Sequence, residues 1–349
     1  MNKRKRVVVI CPGRGSYTKE ELGYLSQARP LVDDFLTDID RRRREDGEPS
    51  ITELDSATKF QVNLHTKGEH ASTLIYACSY YDFARLTQTE QGQEEYEVVA
   101  ITGNSMGWYI ALALGGSLAW AEAYSLIQGM GSMMRDKLVG GQIIYPVCDE
   151  NWQIQPHVED EIRLLLEQTN SLPEHEAYLS IRLGGYWVLG ANALGAKHLL
   201  KTLPPKDNYP FQLVNHGAFH TPLMEAISAQ AFQRFSTDIF KAPQVPLIDG
   251  RGQIWKPWSC QTEDLYDYTL GHQVIKPYDF SQAVSVALKE YGPDHLVLLG
   301  PGGSLGGAIG QILVANRWQS MSNKSEFQER QSKDPFLISL GRREKSNSG

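Results

Sequence analysis

Residues 98–116 read VVAITGNSMGWYIALALGG. A β-branched run closes at Thr102, a helix-forming run opens near Met106, and the link between them is G-N-S-M-G. A chain that turns from strand to helix this abruptly needs the backbone freedom of glycine. The turn lifts the serine hydroxyl clear of the main chain at the amino end of a helix, where free N–H groups and the positive dipole end gather. Gly-x-Ser-x-Gly in this setting is the nucleophile elbow, so Ser105 is the candidate nucleophile. Strands of a parallel sheet are covered on both faces and read as unbroken apolar runs. VVVIC at 7–11 and HLVLL at 295–299 read the same way, and each leaves through a glycine turn, at Pro12-Gly13 and at Gly300 to Gly303. Three strands ending in such turns describe an open α/β sheet with its site at the carboxyl ends of the strands.

Between these runs the pattern changes. QIIYPV (142–147), an amphipathic VEDEIRLLLEQ, YLSIRL, YWVLGA and a helical GAKHLLKTL give a β-α-β-β-α order that suits a small ferredoxin-like insertion. Helical periodicity covers 19–45 and 70–88, FQLVN (211–215) reads as a strand, and HGAFHTPLMEAISAQAFQRF turns into a long helix. The expected fold class is α/β. A large α/β-hydrolase-like domain with a parallel sheet core comprises 1–138 and 207–320, a ferredoxin-like α+β subdomain comprises 139–206, and a polar C-terminal arm, apolar only at PFLISL, comprises 321–349.

Acidic residues outnumber basic ones, 41 to 34, which argues against a nucleic-acid surface. The basic run RRRRED at 41–46 reads as a solvated helix end. Cys11, Cys78, Cys148 and Cys260 show no pairing or zinc spacing and read as reduced, mostly buried thiols. The apolar run near the N-terminus is too short for a signal segment or a membrane span, so a cytoplasmic location without membrane association is expected. GPGGSLGG lacks the spacing of a dinucleotide loop and reads as packing of the last strand against the elbow.

A serine nucleophile needs a base, and imidazole is the side chain best matched to neutral pH. His157, His175 and His198 lie in charged, surface-like stretches, whereas His220 sits among small residues in GAFHTPLM, between a strand and a helix.

Taken together, GNSMG with Tyr109, GAFHTPLM, the opening VVVICPGRGS, QVIKPYDF (273–280) and LLGPGGSLGGAI (298–309) resemble, in order and spacing, the malonyl-CoA:acyl-carrier-protein transacylase family, which includes the acyltransferase domains of fatty-acid and polyketide synthases. The resemblance spans about residues 6–314. It implies a Ser105/His220 dyad, with the imidazole oriented by the backbone carbonyl of Gln273 and an oxyanion hole made by the N–H groups of Met106 and Arg14. It also implies ping-pong acyl transfer from a CoA thioester to the phosphopantetheine thiol of an acyl-carrier protein, with no permanently bound cofactor and no metal. The protein would act as a monomer or as part of a synthase complex. Lys197, Lys201 and Lys206 are candidates for a basic face toward an acidic carrier.

Several positions depart from the family pattern. The arginine that grips a malonyl carboxylate aligns with Met130, so a non-carboxylated acyl group is favoured. Arg14 and Glu69 replace two glutamines beside the site, and a pairing between them would leave Arg14 neutralised; unpaired, Arg14 could itself hold a carboxylate, as in a malonyl transacylase. Asn104 and Trp108 replace the residues flanking the nucleophile; with Met130, Glu69 and Phe219 they are the expected acyl pocket. The same dyad would also serve a hydrolase that clears acyl groups from carrier proteins. A catalytically idle docking module is the alternative of another class, and the presence of both Ser105 and His220 argues against it.

Overall fold

The computed structural model describes residues 3–133, 135 and 138–341. Two sheets organise the chain. The first holds six strands in the order β11-β10-β1-β2-β7-β8: β1 (Lys5–Cys11), β2 (Tyr96–Gly103), β7 (Leu247–Ile248), β8 (Ile254–Trp255), β10 (His295–Leu298) and β11 (Leu337–Ser339). It is parallel except for the β7–β8 pair. Val7 to Cys11 are fully buried, because helices cover both faces of a parallel sheet, which is why these residues read as one apolar run. The second sheet, ordered β6-β3-β5-β4-β9, contains β3 (Gly141–Pro146), β4 (Ala177–Leu183), β5 (Tyr186–Ala191), β6 (Phe211–Gln212) and β9 (Tyr278–Asp279). The helices Pro156–Asn170 and Ala193–Thr202 complete a ferredoxin-like unit with its own core around Ile143, Ile162, Leu189 and Leu199. The fold is thus α/β, a large domain bearing a small ferredoxin-like one.

Four expectations change. The helix read from 19–45 begins at Arg29, where Pro30 enters its first turn and supplies a fixed φ while lacking an N–H that would have no partner there. FQLVN contributes only the two-residue β6, which extends the small sheet past residue 206; Asn215, with φ of 56°, turns the chain away. The basic run is not wholly solvated, since Arg43 is fully buried and donates to Pro49 O, Glu69 O, Thr73 and Gln128. Within the stretch expected as a polar arm, Lys324–Lys333 is a helix and β11 pairs with β10 as the edge of the large sheet; residues 342–349 lie outside the described ones.

The glycine exit after β10 packs on the helix Gly68–Gln88, on Tyr24 and on the turn after β1, rather than on the elbow. A Cβ at Gly300 would lie 2.0 Å from Tyr24 Oη, and one at Gly302 would lie 2.6 Å from Ser16 O. Gly300 N–H donates to Asp82 and its carbonyl accepts from Ser79. Among the described residues Cys11, Cys78 and Cys148 are buried free thiols and Cys260 is partly exposed, and no helix is long and apolar enough to cross a membrane.

Candidate active site

Steric contact fixes the elbow. A Cβ at Gly103 would sit 2.3 Å from the Gly107 carbonyl, and one at Gly107 would sit 2.4 Å from Cys11 O. Both glycines are therefore needed for the end of β2, the turn and the exit of β1 to touch backbone to backbone. Between them Ser105 adopts φ of 55°, a conformation costly for a side-chain-bearing residue and common at functional sites. The helix Gly107–Leu114 starts two residues later.

The base arrives from the far side of the chain. His220 also has positive φ, 62°, and its own N–H donates to Val274 O at 2.8 Å. Its Nε2 lies 2.7 Å from Ser105 Oγ, and its Nδ1 lies 2.5 Å from the main-chain oxygen of Gln273. A carbonyl only accepts, so Nδ1 carries the proton and Nε2 presents its lone pair to the serine. Burial holds the imidazole pKa down to about 4, opposed by the Gln273 carbonyl. The ring is then neutral, and ready to accept a proton, across the physiological range. The Gln273 side chain adds two further ties, accepting from Tyr109 Oη at 2.8 Å and donating to Ser105 O at 3.2 Å. Tyr278 Oη donates to Gly103 O at 2.6 Å, and its ring lies beside His220.

A narrow cleft of about 40 Å³ opens at the dyad, with Arg14, Ser72, Met106, Ile127, Met130 and Phe219 among its walls. Of the residues expected there, Met130 and Phe219 line it. Trp108 does not: it is fully buried, donates through Nε1 to Thr269 and stacks edge-on against Tyr268. Asn104 packs on the first glycine turn, where a Cβ at Gly13 would lie 2.8 Å from its carbonyl oxygen. Glu69 also lies outside the cleft. Ser72 and Ile127 were missed; one turn from Glu69 and Met130 respectively, they follow from helical periodicity once the two wall helices, Gly68–Gln88 and Trp120–Ser132, are known to meet. Tyr109 and the side chain of Gln273 were read as motif without a role.

The Arg14–Glu69 ion pair does not form. Glu69 is held by Arg135, Nε to Oε1 at 3.1 Å, and the same guanidinium reaches Glu48 at 2.5 Å. Arg135 therefore points into this group, from just beyond the end of the helix at Ser132. Glu48, Glu69 and His70 could together face a cation, but Arg135 already supplies positive charge to both carboxylates. Arg14 donates to Asn215 O at 2.8 Å and Thr66 O at 3.4 Å. Burial lowers its pKa to about 10, an effect that the charge of Glu69 opposes from beyond bonding distance.

No protein-family model matches the chain. Polyketide synthase GfsB of Streptomyces halstedii is 25% identical over 212 residues, 59% of this chain. The chain matches about 3% of the length of that relative. Solved structures share the fold. An acyl-carrier-protein S-malonyltransferase from Burkholderia pseudomallei superposes with a TM-score of 0.72 at 17% identity, covering 88% of this chain and 93% of that one. The Synechocystis sp. PCC 6803 malonyl-CoA:ACP transacylase gives 0.70 at 17%, covering 97% of each. A malonyl-transacylase in complex with its type II polyketide synthase acyl-carrier protein gives 0.71 at 18%, covering 88% of this chain and 93% of that one.

Proposed function

We propose that this chain is an acyltransferase that moves an acyl group from a thioester, through an ester on Ser105, to the phosphopantetheine thiol of an acyl-carrier protein in fatty-acid or polyketide synthesis. The observation that carries this reading is the Ser105–His220–Gln273 relay mounted on the elbow of a fold shared with acyl-carrier-protein malonyltransferases.

In the first half-reaction Ser105 Oγ attacks the thioester carbonyl as Nε2 of His220 takes the hydroxyl proton. The developing oxyanion is received by the N–H groups of Met106, ahead of the first helical turn and so without an intrahelical partner, and of Arg14 in the turn after β1. The C–S bond breaks and the departing CoA sulfur leaves with the proton from His220. In the second half-reaction the carrier thiol gives its proton to His220, attacks the acyl-serine ester, and Ser105 recovers its proton as the C–O bond breaks. A main-chain carbonyl suffices to orient a base that is positively charged only transiently. CoA and phosphopantetheine enter as substrates, and no step needs another cofactor.

Met130 offers no partner to a carboxylate on its side of the cleft, so that wall favours a non-carboxylated acyl group. For the carrier, Lys197 and Lys201 are exposed one turn apart on the helix Ala193–Thr202, whereas Lys206 is engaged by Cys148 O. The first two are the basic residues we assign to an acidic partner. Intact-protein mass spectrometry with acyl-CoAs, with and without holo carrier protein, tests the reading. An acyl adduct on Ser105 that discharges onto the carrier thiol is the expected result. Release as free acid would replace transfer by hydrolysis, and absence of any adduct would leave the idle docking module.

A further inference from the structure

The peptide that joins Phe219 to His220 is pinned at both ends. Its N–H donates to Val274 O at 2.8 Å, next to the residue whose carbonyl aims the imidazole. Its carbonyl, that of Phe219, accepts from Ser180 Oγ at 2.8 Å and, at 3.5 Å, from Gln142 Nε2. A peptide unit is planar, so fixing its oxygen and its hydrogen fixes the plane from which His220 departs at φ of 62°. Ser180 and Gln142 belong to the small domain, on β4 and β3, and are 0% and 4% exposed. They are also joined to each other, Gln142 Nε2 donating to Ser180 Oγ at 2.8 Å. Gln142 Oε1 can only accept, so the 3.1 Å contact with His216 Nδ1 is a bond donated by the ring. Every donor in this series points toward the carbonyl ahead of the base.

The small sheet is shaped for this contact. Ser180 is the extra residue of a bulge, since Leu179 opposes Leu189 and Ile181 opposes the adjacent Val188; bulges re-aim a side chain and recur beside active sites. Opposite Gln142 on β5 stands Gly190, where a Cβ would lie 2.7 Å from Thr221 Cγ2. A glycine inside a strand admits the close approach of another segment, and here that segment carries the base. Ile143 and Leu189, the neighbours of Gln142 and Gly190, close over the small domain's own core instead. We infer that Ser180 and Gln142 are positioning residues for His220, and that the small domain thereby holds the base in place. The inference rests on the Ser105/His220 dyad proposed above. Neither side chain touches the reacting atoms. Without them the Phe219 carbonyl is free to turn and to carry the imidazole off its line to Ser105 Oγ, and a misplacement on the order of 1 Å costs up to about 10²-fold in rate.

The test uses the full chain and two kinds of reagent for Ser105. One is whichever of acetyl-CoA and malonyl-CoA acylates wild type faster; the other is a fluorophosphonate, which loses fluoride to the serine oxygen and needs the base but no CoA contact. Both reactions are followed by intact mass in a single turnover. Ser180→Ala and Gln142→Leu should each slow both reactions by about tenfold, with the half-saturating thioester concentration unchanged. The double variant should be little slower than the slower single one, because the two side chains serve one carbonyl. Ile143→Val, which thins the small domain's own core, is the control for stability: it should lower the denaturant midpoint and leave both rates as in wild type. Ser180→Ala that labels within about twofold of wild type, or Ile143→Val slowed as much as Ser180→Ala, overturns the assignment. Wild type that the fluorophosphonate labels but neither thioester acylates counts against the acyltransferase reading alone, and the labelling rates still decide the positioning role. Wild type whose Ser105 takes no label removes the dyad, and this inference with it.

Discussion

At the reacting end of the cleft the main chain does most of the positioning. Ser105 and His220 are both held at positive φ, the imidazole is aimed by a backbone oxygen, and two glycines bring three backbones into contact. At the other end the cleft is walled by side chains, among them Arg14, Ser72, Ile127, Met130 and Phe219. A backbone carbonyl cannot be removed by substitution, whereas a side chain changes with one codon. The first end can therefore keep its geometry while the second is rewritten.

The largest effect that would break this contrast is at the dyad. His220→Ala and Ser105→Ala should each slow acylation by about 10³-fold or more, with folding checked by circular dichroism; an activity within tenfold of wild type would mean the reacting end lies elsewhere. Next, Gly107→Ala should destabilise the protein by about 3 kcal/mol or more, because its Cβ meets backbone rather than a movable side chain. Met130→Leu should cost about 1.5 kcal/mol at most. Denaturant midpoints for the two variants compare backbone with side-chain construction directly, and equal losses would erase the difference.

The pH response is a milder probe. His220 must be neutral to act, so acylation should hold level from neutral pH down to about pH 5 and decline as pH falls through about 4. His216, half-buried beside Arg14, is held lower still, to about 3, by desolvation and by the charge of Arg14. In the unfolded chain both would titrate near 6.5, so between about 6.5 and 4 the unfolded state binds the protons. Stability is then full above about 6.5 and is lost as pH drops through that window. A denaturant midpoint that is the same at pH 7 and pH 5 would contradict the lowered pKa of these rings. The smallest effect expected is that of Gln273→Leu. It removes the ties to Tyr109 and Ser105 O while the carbonyl facing His220 stays, so a loss of roughly tenfold or less in acylation, with an unchanged pH profile, separates the two roles of this residue. A loss as deep as that of His220→Ala would place the orienting function in the side chain.

The reacting end was legible in the sequence because sterics writes it there. Gly103 and Gly107 are present since nothing larger fits, and Val7 to Cys11 form one apolar run because both faces of β1 are covered. The acyl end was much less so. Whether Glu69 meets Arg14 or Arg135 depends on how segments around residues 14, 48, 69 and 135 converge, and no local pattern encodes that. Trp108 looked like a pocket residue until its Nε1 was seen bonded to Thr269. Arg43 carried a signal that went unread: Val32, Leu36, Ile39 and Arg43 fall on one helical stripe, so the period places one member of a charged run on the buried face.

The pairing of β11 with β10 bears on how this chain can be trimmed. A version ending near Ser320, cut where the sequence turns polar, would lose the strand that hems the large sheet and would bare the backbone donors and acceptors of β10 along an apolar edge, the kind of surface on which protein molecules stick to one another. Precipitation of such a shortened protein would then reflect an opened seam rather than a damaged active site.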